Sequence, residues 1–189
     1  MTLIHTEKII GWITYRMEAV EIGRIALELA GNWDEPPPIK IFFDQKPVIE
    51  GKATAFTNGA IEAAIIHSRA LLEFLGIGID RYGELTDKST RRPNDHAIED
   101  FGRLPRLTVN DALRAYTGPA AEAKSALTHV IYLANKGLAH TTSDFNASTE
   151  AYQHLNIAFN GVPVLIIRHL FMPLGMPTPS FAIQSRNLI

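Results

Sequence analysis

Apolar residues recur at three- and four-residue steps along most of this chain, a spacing that predicts helices. Over residues 3–31, Ile9, Ile13, Met17, Val20 and Leu27 form one stripe, widened by Ile22, Ile25 and Leu29. Gly31-Asn32 is a helix stop, and three consecutive prolines at 36–38 keep the chain from resuming a helix. Residues 39–43 and 47–49 then flank Asp44-Gln45-Lys46, which reads as a short β-hairpin or an extended excursion. Residues 52–76 predict a central helix, because Phe56, Ala60, Ala63, His67, Ala70 and Phe74 form one stripe while isoleucines and leucines fill the other faces.

Residues 79–118 are polar and irregular, with a helical turn expected between Asp95 and Phe101. Thr108 is placed to cap a short helix through Tyr116, with Asp111 at its third position. A third long helix starts at Pro119 and runs to about His140 on the stripe Ala123, Ala126, Val130, Leu133 and Gly137. A fourth begins near Asn146 or Ser148 and carries Ala151, Leu155, Ala158, Val162 and Leu165. Pro163 predicts a kink or a restart in it. The expected fold is all-α, a four-helix-type bundle in one domain over residues 1–172, with the hairpin or excursion near 39–49 as an appendage. Residues 173–189, with prolines at 173, 177 and 179, are expected to form an extended tail.

Charge adds a second layer. The 189 residues carry 18 lysines and arginines against 20 aspartates and glutamates, a net charge of −2. That balance argues against holding nucleic acid by bulk positive charge, and no DNA partner is expected. Residues 1–80 hold 7 basic and 11 acidic groups, whereas residues 115–189 hold only 4 and 3. So uncharged a C-terminal part is either buried in its own chain or covered by another. Phe159, Val162, Val164, Leu165, Ile166, Ile167, Leu170, Phe171 and Met172 are too many apolar residues for one face of a solvated helix, which predicts a homodimer through the C-terminal helix. No apolar run reaches the roughly 20 residues of a membrane span. Glu7 and Lys8 interrupt any secretion signal, so the expectation is a cytoplasmic protein with no membrane partner.

Candidate chemistry is sparse. With no cysteine there is no disulfide, thiolate metal site or cysteine nucleophile. No phosphate-binding loop and no Gly-x-Ser-x-Gly elbow occurs. Among seven histidines, Glu150 and His154 lie one turn apart, but Glu150 is explained by the first turn of a helix, so no metal and no cofactor is expected. His67 on the central helix reads first as a hydrogen-bonded core residue, with Arg69 offset by about 200° around the axis. Asn135, Lys136 and His140 close the third helix in a region short of charge. Lys136 and His140 share a face, where imidazole could take a proton from a ribose hydroxyl and ammonium could offset phosphate charge. Termination of the helix by two cations explains the same residues.

Arg69-Ala70-Leu71-Leu72-Glu73-Phe74, the acidic stretch Asp95 to Phe101, and Asn135-Lys136-Gly137-Leu138-Ala139-His140 together resemble bacterial helical proteins of the HEPN superfamily, over about residues 52–170. That resemblance implies a four-helix bundle, often dimeric, and in some members metal-independent RNA cleavage on an Arg-x(4–6)-His signature. His140 matches the histidine, but the allowed arginine positions hold Asn135, Ala134 and Leu133. The expectation is therefore a dimeric, non-catalytic interaction or assembly module. The alternative is RNA cleavage or binding through His140, with Lys136, Asn135 and Arg69 beside it. A third reading is a small-molecule bundle built around the central histidine.

Overall fold

The computed structural model describes residues 3–102, 104–138 and 148–181. Helix α1 (Leu3–Gly31) pairs with α2 (Thr54–Leu75) along most of its length, and the two run antiparallel. Gly23 lies against Ala60 and Ala64, while Arg16 faces His67. Between them, β1 (Pro38–Phe43) and β2 (Lys46–Lys52) form an antiparallel hairpin with Ile41 opposite Ile49. Ala53 N–H donates to the Pro37 carbonyl at 2.9 Å and closes its base.

Helix α2 stops where sequence expects. Gly76 takes a left-handed conformation with φ 101°, and its N–H donates to the Glu73 and Leu72 carbonyls. The chain then makes a second antiparallel pair, β3 (Ile77–Ile79) with β4 (Leu85–Asp87). Its turn is built by Asp80, whose carboxylate accepts the Tyr82 and Glu84 N–H groups at 2.8 and 3.0 Å, and by Gly83 with φ 85°. Helix α3 (Val109–Arg114) carries the expected cap, with Thr108 Oγ1 accepting the Asp111 N–H at 3.2 Å. Helix α4 (Ala120–Tyr132) starts one residue later than expected, with Pro119 at its N-cap and not its first helical position, and ends in a wide π-type turn, Leu133–Gly137. Helix α5 (Thr149–Ile166) is capped by Ser148 and continues through Pro163 without a break, followed by another π-type turn, Ile167–Phe171.

These elements correct the all-α four-helix-type bundle. The fold is mixed: five α-helices among the described residues, one projecting hairpin and one small buried sheet. The second sheet escapes periodicity because its strands are three residues long and enter a polar stretch. Ile77 is nonetheless fully buried and Leu85 nearly so. Strand β3 therefore tethers the long connection to the core, as does the Leu107 N–H donating to the Leu75 carbonyl at 2.8 Å.

The core is assembled from Met17 and Val20 of α1, Ile65, Leu72 and Leu75 of α2, Val130 of α4, and Phe159, Val162 and Ile166 of α5. Phe159, Val162, Leu165, Ile166, Leu170 and Phe171 all face this core, so burial within the chain accounts for much of the charge-poor C-terminal part; Val164 and Met172 remain exposed. Beyond them, Leu174, Met176 and Phe181 pack against the same core. Among the described residues no helix is long and apolar enough to cross a membrane.

Candidate functional site

Three of the four sequence-predicted site residues fall in the described part. Asn135 is half-buried and Lys136 exposed in the π-type turn after α4. His140 lies outside the described residues, as do Thr141 and Thr142. Arg69 is on α2, and its Nη2 donates to Glu73 Oε1 at 3.2 Å. No hydrogen bond or ion pair among the described residues joins Arg69 to Asn135 or Lys136. His129 of α4 and His154 of α5 approach to 5.3 Å between ring centroids. Burial, then the neighbouring His154, pushes the His129 pKa down, against an opposing pull from Glu150. No group of three metal-capable side chains occurs among the described residues.

A cleft of about 340 Å³ lies between α1, the end of α2 and residues 88–106. Helix α1 contributes Ile9, Trp12, Ile13 and Arg16, which share one face by their three- and four-residue spacing. Helix α2 contributes Ala70, Glu73 and Phe74 on the same principle. The opposite wall is irregular backbone held by ion pairs. Arg91 grips Asp100 with two hydrogen bonds of 2.7 and 2.8 Å, and Asp100 also accepts the Ala97 N–H at 3.1 Å. That fork from Arg91 holds the Asp100 carboxyl below its ordinary pKa, against the effect of burial. Arg106 donates to Glu99 through Nε at 2.7 Å and through Nη2, and its Nη1 reaches the Lys88 carbonyl at 2.7 Å. Burial is the largest single influence and disfavours the Glu99 carboxylate, but the Arg106 bonds, a backbone hydrogen bond and the Arg106 and Arg91 charges together lower its pKa. Lys88 Nζ meets Glu73 at 2.6 Å and fastens this wall to α2.

Arg16 differs from these cations. Its Nη1 lies 2.9 Å from His67 Nδ1, and it has no carboxylate partner among the described residues. Because guanidinium only donates, His67 Nδ1 is the acceptor, so the ring is neutral with its proton on Nε2. Burial, and then the Arg16 charge, lower the His67 pKa accordingly. Tyr15 meets the same ring edge-on at 5.4 Å. His67 is thus a half-buried, hydrogen-bonded residue beside the cleft, and its bond runs to Arg16 on α1, not to its near neighbour Arg69.

Sequence reasoning missed Trp12 and Arg16. Their i,i+4 spacing beside the Ile9–Ile13–Met17 stripe was the available signal, but the facing wall lies about 80 residues away along the chain. No family model, curated protein or solved structure matches this chain.

Proposed function

We propose that this protein is a non-catalytic interaction module that assembles with a second copy of itself. The observation that carries the reading is the β1–β2 hairpin. Phe42, Phe43, Val48 and Ile49 are 52, 69, 46 and 46% exposed, on a two-stranded ribbon whose two outer edges pair with no other strand among the described residues. Such a ribbon buries too little to be stable alone, and an exposed apolar edge invites pairing. It carries both signs of charge, Lys40, Lys46 and Lys52 with Asp44 and Glu50, so two copies can approach without strong repulsion. A two-fold arrangement presents the same patch from each subunit. The non-catalytic part of the reading is supported at the cleft, where Glu73 is tied up in an ion pair, as are Glu99 and Asp100 behind the wall, and the neighbouring His67 is held by Arg16.

Light scattering at micromolar concentration tests assembly. The expected wild-type mass is that of two chains, falling to one chain in the Phe42→Ser, Phe43→Ser variant. A monomeric wild type overturns the dimer. Incubation with mixed RNA in the presence of chelator tests the absence of catalysis. Intact RNA is expected, and cleavage that disappears in His140→Ala would establish the RNA-cleaving alternative instead.

A further inference from the structure

We infer that the cleft between α1, the end of α2 and residues 88–106 binds a small monoanionic carboxylate with a planar apolar body. The inference stands apart from the hairpin, since the cleft is complete within one chain.

The charge follows from Arg16. Lys88, Arg91 and Arg106 each have a carboxylate partner, whereas Arg16 is hydrogen-bonded to a neutral imidazole. A guanidinium has five N–H donors, and His67 takes one of them. Four N–H groups and one uncompensated positive charge therefore border the cleft on a side chain already oriented by His67, the positioning residue. A guanidinium fork fits a carboxylate with two parallel hydrogen bonds. Lys88, Arg91 and Arg106 line the same cleft but are already bonded to carboxylates, which leaves Arg16 as the cation open to an anion. Inorganic phosphate could meet that charge but would leave the apolar walls uncovered, which favours a carboxylate on an apolar body.

The apolar body follows from the walls. Ile9, Ile13 and Phe74 are buried and border the cleft, and Trp12 leaves 48% of its surface open one helical turn from Arg16. Lys8 Nζ lies 5.1 Å over the Trp12 ring and His96 tilts beside it at 6.3 Å, so a ligand ring would cover the remaining open surface of Trp12 while its carboxylate reaches Arg16. A volume of about 340 Å³ sits at the lower end of small-molecule pockets, which suits a one- or two-ring compound.

Nitrogen-15 NMR titration of the full chain reads this directly from the indole N–H signal of Trp12, distinguished from Trp33 by a Trp12→Phe variant. The probes are naphthalene-2-carboxylate, its neutral carboxamide and inorganic phosphate. The carboxylate is expected to move the Trp12 signal to saturation. The carboxamide, and the carboxylate with Arg16→Gln, should each bind about tenfold or more weakly, the loss of a charge-assisted hydrogen bond. Phosphate should leave Trp12 unmoved. Unchanged carboxamide binding between wild type and Arg16→Gln shows that the variant keeps its cleft. Equal affinity of carboxylate and carboxamide for the wild type, phosphate binding as tightly as the carboxylate, or no response to millimolar carboxylate would each overturn the assignment.

Discussion

His67 is held neutral by burial first and by the Arg16 charge second, and His129 and His169 are also shifted down, with burial the leading cause. A histidine with a lowered folded-state pKa is protonated more readily in the unfolded chain. Its stabilising effect is complete above the unfolded pKa of about 6.5 and is lost as pH falls through the lower folded value. Asp100 and Glu99 are shifted down as well, but their contributions decline only in the carboxylate range, around pH 4 and below. Loss of stability between pH 7.5 and 5.5 therefore belongs to the histidines. Urea unfolding should give a lower midpoint at pH 5.5 than at 7.5, and His67→Gln should shrink the difference without abolishing it, since His129 and His169 remain. An unchanged difference in that variant would show that His67 is not held neutral. The histidine's place on the central helix is legible from its stripe, but its partner Arg16 is 51 residues away and no local pattern announces it.

At the scale of elements, legibility follows length and capping. Helix α1 occupies the predicted residues because its stripe from Ile9 to Leu27 spans about five turns, and Thr108 and Ser148 cap helices as their side chains suggest. The β3–β4 pair is invisible to periodicity because three-residue strands carry almost no periodic signal. Packing also gives two similar-looking helix glycines opposite roles. A Cβ on Gly23 would clash with Ala64 Cβ and come 2.9 Å from the Ala60 carbonyl, so this glycine permits the close approach of α1 to α2. A Cβ on Gly11 meets nothing within 4 Å. Gly11→Ala should raise stability by up to about 1 kcal/mol through helix propensity alone. Gly23→Ala should lower it by about 1–3 kcal/mol, because overpacking outweighs the same propensity gain. Denaturant midpoints at constant m-value decide, and a stabilised Gly23→Ala would contradict the close helix contact.

For the whole molecule, what matters is which apolar surface the chain buries for itself. The poverty of charge after residue 115 leaves two explanations open at the level of sequence. Much of it is explained by burial in the chain's own core, with Leu170 and Phe171 buried as deeply as central-helix residues. The hairpin is the opposite case. It joins the body at its base, through the Ala53–Pro37 hydrogen bond, while its apolar tip faces outward. Core stability and assembly should therefore separate. Replacing residues 39–51 by a short glycine-serine linker removes side chains that contribute little to the core, so the unfolding free energy should change by less than about 1 kcal/mol and the helical circular dichroism should persist. Scattering mass should fall to one chain, because both open edges and all four exposed apolar residues leave together. A variant that unfolds would assign the hairpin to the fold. One that folds and still dimerises would move the interface elsewhere, with Val164 and Met172 on the C-terminal helix the next surface to substitute.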